Sequence, residues 1–482
     1  MRVSQQFHLG STQPSLDFVD VDTSTDVAAF IDPRAIRRQK GPFAEHAQAL
    51  LTAFFSALLD ALSRNRSEEA AALMAHLGEP NETHLGFSRG TSRGRGLGGV
   101  GAERVLEYLQ RSKASQTGML ADLEDSALLV PGIGKDVISD IATHVLRQSL
   151  IDYTQRACLE LGIPIEEQFA GPVWSADTLE WIDEFADLPR SAEGQLLLLV
   201  PKVIVRHAPI FDTDRYWRDY LAPSMIEDEL RLGSELVRTL KYGLRHVDKK
   251  ALKDKYGNDK PAVVDQTERY PDALQQYRLS AGIGRVVLDH PDITEITKTP
   301  PVDYQALLRA VQAIQSGQDG ATWYHRAVKD LLAALLFPAL TNCRIEDEIH
   351  EGRKRIDIAF DNVADIGFFT WVGRHYGAPT IPVECKNYSR DPANPELDQM
   401  IGRLSNDRGR LGIIVCRELR DKDRFQQRCR DAAKDGNGYI LVLDDTDLRE
   451  LVDASVNGDT EKTMAARLEY PALRRQFQRL IA

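Results

Sequence analysis

The sequence predicts an α/β protein of several domains: a mainly helical N-terminal region followed by a C-terminal mixed sheet flanked by helices. Three observations carry this. The chain has 482 residues, which at about 100–200 residues per domain leaves room for about two to four compact units. Apolar residues between 42 and 77 recur at three- and four-residue spacing, the signature of helices facing a core. The last third alternates period-two and helical patterns in the order α-β-β-β-α-β-α-β, which makes a sheet between helices. Hydrophobic residues form 43% and charged residues 27% of the chain, a globular composition that argues against extensive disorder.

Composition also excludes several classes. The N-terminal stretch MRVSQQFHLGSTQPSLDF has no apolar core of a secretory signal, and no run approaches the ~18 apolar residues of a membrane helix. Cys158, Cys343, Cys385, Cys416 and Cys429 are scattered without a CxxC pair, so neither a zinc knuckle nor a disulfide framework is signalled. A reduced, cytoplasmic protein with no membrane partner is expected. With 60 Lys and Arg against 72 Asp and Glu the formal net charge is −12. Averaged over the chain, that counts against nucleic acid, whose phosphates are met by Lys and Arg.

Along the chain, residues 1–118 form an α-rich region. Its main helix carries Phe43, Ala47, Leu50, Leu51, Phe54, Phe55, Leu58 and Leu62 on one stripe. Ser63 breaks it, a second helix opens at Ser67, and a Gly/Arg-rich loop covers 86–101 before a helix at 102–113. Residues 119–320 form a middle α/β region with a regulatory or sensor role. It holds a long helical pattern through Ile138, Ile141, Val145, Leu150 and Tyr153, a strand over Gln195–Arg206, helices from Ser224 to about Gly243, a charged stretch over 241–260, and a helix at 302–317. Residues 316–320 (SGQDG) read as a linker.

Some signals in these regions are weak. The turn from Val130 to Lys135 (VPGIGK) resembles a helix-hairpin-helix element, in which glycine N–H groups and a helix N-terminus meet phosphate. The preceding SALLV reads as strand, which favours an ordinary strand-to-helix turn. Gly94 to Gly99 satisfies GxGxxG, but no strand precedes it and no GK[ST] follows, so a surface loop is the better reading even with Arg89, Arg93 and Arg95 nearby. Lys241, Arg245, Lys249, Lys250, Lys253 and Lys255 are interspersed with Asp248 and Asp254, as on a solvated helix face. His350 and His375 lack ligand spacing and read as incidental.

The unit at 321–455 carries the chemistry. A buried helix spans 322–337, and Pro338 stops it. A β stretch follows over Cys343–Ile349, then RIDIAF over Arg355–Phe360, where Asp357 lies on the face opposite Ile356, Ile358 and Phe360. After a loop at 361–379, whose Phe368, Phe369, Trp371 and Tyr376 suit either the core or base stacking, comes TIPVECKN (Thr380–Asn387). There Glu384 and Lys386 share one face and Val383 and Cys385 the other. A helix with Gln399, Ile401 and Leu404, the strand Leu411–Cys416, a charged helix at 421–435 and the strand Tyr439–Leu443 complete the unit. Residues 456–482 form a helical tail.

Two carboxylates and an ammonium on neighbouring strands make a particular kind of site. Paired Asp and Glu oxygens suit Mg²⁺ (or Mn²⁺), a hard ion that keeps some of its waters, and the ammonium can orient a water or stabilise a charged transition state. Charges in the middle of an apolar strand also cost stability, which points to a purpose. This constellation, Asp357 with Glu384, Cys385 and Lys386, resembles the D…(D/E)-x-K motif of the PD-(D/E)XK, or restriction-endonuclease-like, nuclease superfamily, over about residues 321–450. The run from Glu384 to Cys416 is similar to its restriction-type and bacterial anti-phage members. The resemblance implies that Asp357 and Glu384 bind the metal, Lys386 assists hydrolysis, and Gln399, with Arg403 one helical turn on, is accessory. Where the family places a helix Glu, this chain has His325; Asp330, Glu346, Asp347 and Glu348 are carboxylates nearby. Arg353, Lys354, Arg355, Arg390, Arg403, Arg408, Arg410 and Arg417 supply local positive charge.

The sequence therefore leads to a Mg²⁺-dependent phosphodiester hydrolase, a DNA endonuclease of anti-phage defence with a regulatory N-terminal region, and a homo-oligomer, with a dimer suited to cutting two strands. The alternatives are an RNA-cleaving nuclease, or a non-catalytic protein of the same fold that binds nucleic acid or a partner.

Overall fold

The computed structural model describes residues 1–482 except 38, 40, 79, 87–98, 208–211, 281–287, 350–353 and 457–464. The expected GxGxxG loop with Arg89, Arg93 and Arg95 lies outside the described residues, as do His350 and Arg353. The fold is α/β. Among the described residues no helix is long and apolar enough to cross a membrane.

The N-terminal unit is built on helix α1 (Pro42–Ser63), which Pro42 starts at a position where no N–H is needed. Ala47, Leu50, Leu51, Phe54, Phe55 and Leu58 are its buried face. Around it one core takes in residues from Val3 to Ile293, of both the first and the middle stretches of the chain, together with Phe337. Helices α2 (Leu123–Leu129), α3 (Lys135–Val145) and α4 (Arg147–Leu161) belong to it.

Four local expectations change here. Ser126–Leu129 of SALLV are the end of helix α2 and not a strand, because Asp125 Oδ2 accepts the Ala121 and Asp122 N–H groups at 2.9 and 3.0 Å and so fixes the helix start upstream of them. The VPGIGK turn thus joins two helices. It is filled from within, since Lys260 Nζ donates to Val130 O at 3.0 Å and to Ile133 O at 2.7 Å. Of Gln195–Arg206, the residues from Leu197 on are buried, but strand forms only at Val205–Arg206, paired with Phe30–Ile31. A 3₁₀ turn at Lys202–Ile204 separates this pair from a lone bridge of Pro201 to Phe18, so hydrophobicity there reported burial more than pairing. The helix expected to reach Gly243 ends at Leu232, where Gly233 turns left-handed at φ 65°. A two-stranded hairpin went unforeseen: β1 (Glu166–Ser175) pairs with β2 (Glu180–Leu188), with Trp174 opposite Trp181 and both rings against Phe54.

The C-terminal unit has its own core, from Tyr304 to Leu480. Helix α5 (Tyr304–Ala313) and helix α6 (Ala321–Leu336) are both in it. The residues between them, expected as a linker, are tied to the sheet: Gly317 N–H donates to Asn387 O at 2.7 Å, and Asn387 Nδ2 donates to Gln315 O and Gly317 O at 3.0 Å each. The strands are β3 (Leu340–Ile349), β4 (Lys354–Asn362), β5 (Thr380–Lys386), β6 (Leu411–Cys416) and β7 (Tyr439–Leu443). They form one five-stranded sheet in the order β7-β6-β5-β4-β3. The pairs β3/β4 and β4/β5 are antiparallel, and β5/β6 and β6/β7 parallel. Every residue of β6 is buried, as a strand covered on both faces requires.

The stretch 361–379 is not a plain loop. It contains helix α7 (Gly367–Tyr376), entered at Gly367 with φ 82°, where a Cβ would collide with Leu468 O. Phe368 and Phe369 have no exposed surface, so these rings are core and do not face a nucleic acid. Helix α8 (Asn394–Ile401) follows β5, helices α9 (Lys422–Lys434) and α10 (Asp445–Val456) flank β7, and helix α11 (Pro471–Ile481) closes the unit. Phe477 of α11 packs against Phe368, Trp371, Tyr376 and Tyr439, with ring centroids 4.8–6.0 Å apart. Phe477→Ala should therefore cost about 3–5 kcal/mol, read by urea denaturation. A loss below about 1 kcal/mol would mean that α11 is dispensable to the core.

Candidate functional site

The antiparallel register places Ile358 opposite Val383, so one residue further on Asp357 stands opposite Glu384. Two carboxylates face each other across adjacent strands. Cys385 N–H donates to Asp357 Oδ2 at 2.8 Å, which fixes one Asp oxygen. His325 Nε2, from the first turns of α6, stands 3.8 Å from the same oxygen.

Glu384 has no exposed surface, and its oxygens are fully engaged. Lys386 Nζ lies 3.1 Å from Oε2, Gln399 Nε2 donates to Oε2 at 2.7 Å, and Arg403 Nε donates to Oε1 at 3.1 Å. Lys386 Nζ also donates to Gln399 Oε1 at 3.0 Å. The Gln399 amide thus bridges acid and ammonium, one end to each. Burial raises the Glu384 carboxyl above its ordinary range, and the neighbouring Asp357 adds to the rise, while Lys386 and Arg403 oppose it.

All four residues singled out from the sequence, Asp357, Glu384, Lys386 and Gln399, meet in one place. Of the carboxylates considered as stand-ins for a helix Glu, none with a described side chain joins them. Asp330 accepts from Ser11 at 3.1 Å and pairs with Lys329, Glu346 pairs with Arg355, and Asp347 with Arg344. The side chain of Glu348 lies outside the described residues. The surrounding arginines divide by role. Arg403 serves the site, whereas Arg410 donates to Gly436 O and Arg417 to Val311 O and Gln312 O. The reach of Asn387 to 315–317 was not foreseen, although its place directly after Lys386 was the available signal.

Among the described residues no group of three or more His, Cys, Asp and Glu side chains is arranged to hold a metal. The pair Asp357 and Glu384 offers hard oxygen ligands only, a set that fits a hydrated Mg²⁺ or Mn²⁺ held by two protein carboxylates.

A family model described as a domain of unknown function (DUF8370) matches residues 8–212. No curated protein and no solved structure matches the chain. The matched region belongs to the N-terminal unit and ends well before Asp357.

The coupling of the acids has a measurable sign. Because Asp357 helps to raise Glu384, Asp357→Asn should move the Glu384 titration midpoint down, followed by carboxyl ¹³C NMR; an unmoved midpoint would mean the two do not interact. Gln399→Ala leaves Glu384 and Lys386 each one hydrogen bond short, and should destabilise the fold by about 1–3 kcal/mol in chemical denaturation.

Proposed function

We propose that the C-terminal unit is a metal-dependent nuclease of the restriction-endonuclease-like type, hydrolysing phosphodiester bonds, most simply those of DNA in anti-phage defence. One observation carries the reading: Asp357 and Glu384 face each other on adjacent strands with the Lys386 ammonium 3.1 Å from Glu384. The mixed sheet flanked by helices also agrees with that superfamily. Asp357 and Glu384 would hold Mg²⁺ (or Mn²⁺). The ion would supply an activated water and offset phosphate charge when bound. Lys386 would orient the attacking water or support charge on the phosphorus oxygens. Gln399 positions Lys386, and Arg403 steadies Glu384. The overall charge of −12 then matters less than the local field of this site.

A second reading has its own observation. Both Glu384 oxygens already have side-chain donors, and His325 occupies the place of an acid, as would suit a non-catalytic unit that binds nucleic acid or a partner without metal. RNA as substrate is a variant of the first reading.

The test is a cleavage assay on plasmid DNA, single-stranded DNA and RNA with Mg²⁺ and Mn²⁺, alongside calorimetry of metal binding. Glu384→Ala and Lys386→Ala should each lower cleavage by at least about 10²-fold while the circular dichroism spectrum stays native, and Asp357→Ala should abolish the metal-binding heat. Wild-type protein that takes up no metal and cuts none of the three substrates would favour the second reading.

A further inference from the structure

Two hairpins of the N-terminal unit present uncovered apolar side chains among charges of opposite sign. The first is β1/β2, held to the body by its tryptophans: Trp181 Nε1 donates to Leu73 O at 2.9 Å, and both indole rings lie against Phe54. On it Phe169 stands opposite Phe185, ring centroids 5.3 Å apart, and the two residues are 51% and 63% exposed. Ile182 and Leu179 are exposed as well. From Glu166 to Leu188 the sequence has seven Asp and Glu and no Lys, Arg or His. Among the described residues only Glu166 of these acids has an ion-pair partner, Arg190.

The second is the short ladder of Val237–Thr239 with Arg245–Val247. Its tip is closed by the Leu240 N–H, which donates to Leu244 O at 2.8 Å, and by the Gly243 N–H, which donates to Leu240 O at 3.2 Å. Every residue from Arg238 to His246 is exposed. Leu240 is 48% and Leu244 65% exposed, and Tyr242, left-handed at φ 68°, is exposed in full. From Val237 to Lys250 five Lys and Arg stand against one Asp. Lys241 and Arg245, expected on a solvated helix face, are thus on a hairpin, and with Arg238 they meet no carboxylate among the described residues. Apolar surface left bare inside a charged rim marks a contact site.

We propose that these hairpins are the two sides of one contact between copies of this chain: the Phe169–Phe185 face of one copy receives Leu240, Tyr242 and Leu244 of the next. Charge decides the occupant. Two β1/β2 faces brought together would set acid against acid, and two 237–247 tips base against base, so only unlike faces attract. Within one chain the hairpins leave each other bare, since the rings of both are exposed. Association takes those rings and leucines out of water and gives Arg238, Lys241 and Arg245 the carboxylates they lack, Asp183 and Asp187 among them. Each copy carries both faces, so the contact is heterologous, closing into a ring or running on as a chain of copies. The β1/β2 hairpin lies within residues 8–212 and the other beyond them, and the contact stands apart from any nuclease activity.

Sedimentation velocity on the full chain tests this. Two hairpins make a contact at the small end of protein interfaces. The wild type should therefore associate at micromolar concentration in about 0.05 M NaCl, and at least about tenfold more weakly in about 0.5 M. Phe185→Ser and Tyr242→Ser should each weaken association at least about tenfold. An acid-reversed variant, Asp183→Lys with Asp187→Lys, and a base-reversed variant, Arg238→Glu with Arg245→Glu, should each sediment as monomers, whereas their equimolar mixture should associate again. All six positions are exposed, and near-UV circular dichroism checks the folding; should a double variant unfold, the salt dependence and the two serine variants decide. Wild type that stays monomeric at about 100 μM in the lower salt, association indifferent to salt or to both serine substitutions, or a mixture of folded variants that fails to associate would overturn the contact. So would association lost in Phe185→Ser but intact in Tyr242→Ser, which means that like faces meet. A monomer that shifts a DNA duplex through Arg238 and Arg245 would overturn it too, in favour of nucleic acid on the tip.

Discussion

Glu384 places a carboxylate with no solvent exposure in the middle of a strand whose other face is core. An ion taken out of water costs several kcal/mol unless charge and hydrogen bonds replace the lost hydration. Here the replacement comes from three side chains on two elements, Lys386 from β5 itself, and Gln399 and Arg403 from α8 and the turn after it. Helix α8 is therefore held in register with β5 by the same contacts that make the site. The constraint spreads outward, because the Arg403 carbonyl accepts Arg408 Nε at 3.1 Å and so fixes the segment leading into β6. On the other side, the Cys385 N–H that holds Asp357 is also part of β5. A single buried acid thus sets the relation of two strands and a helix.

Helix α6 links this site to the rest of the protein. Near its N-terminus His325 approaches Asp357. One turn later, Lys329 donates to Ser15 O at 3.3 Å and pairs with Asp330 at 2.6 Å, and Asp330 accepts from Ser11 at 3.1 Å. Asp17, half-buried, accepts the Cys343 N–H of β3 at 2.7 Å. Lys202 reaches the same seam, donating to Pro14 O at 3.1 Å with its ammonium 4.1 Å from the Phe337 ring centroid. Burial lowers Lys202 to about 8, and buried charges left in a seam of this kind specify one arrangement more than they add stability. The helix that reaches Asp357 is the one the N-terminal segment grips.

The contrast between what the sequence revealed and what it hid follows from how each signal arises. Strand alternation placed Asp357 off the apolar face of RIDIAF and put Glu384 and Lys386 together, because a period of two is a local property. Helix spacing did the same for α1 and for Gln399, while Arg403 comes from the turn after α8. The contact of Asn387 with residues 315–317 is long-range and has no periodic trace, and His325, 3.8 Å from Asp357, was legible only through the resemblance. Gln195–Arg206 misled because burial and strand share one hydrophobic signature. SALLV misled because its β-like composition was overridden by the Asp125 carboxylate, which holds the helix start at Ala121 and Asp122. The rings of 368–376 suited either a core or a stacking surface by composition alone. Phe477, about a hundred residues away, decided for the core.

The charge balance of the site bears on the proposed chemistry. Lys386 and Arg403 are both spent on Glu384, and Asp357 is met by one backbone N–H and a histidine. As it stands, the pocket has little positive charge to offer an approaching phosphodiester, and Asp357 would repel it. Positive charge must either be added at the two carboxylates or be freed from Glu384. Asp357 and Glu384 would hold a divalent cation, which would supply that charge and let Lys386 part from Glu384. On the proposed reading, metal dependence is thus a consequence of how Glu384 is buried, and Gln399, bonded to acid and ammonium alike, is the side chain best placed to keep Lys386 near the site when its salt link to Glu384 loosens.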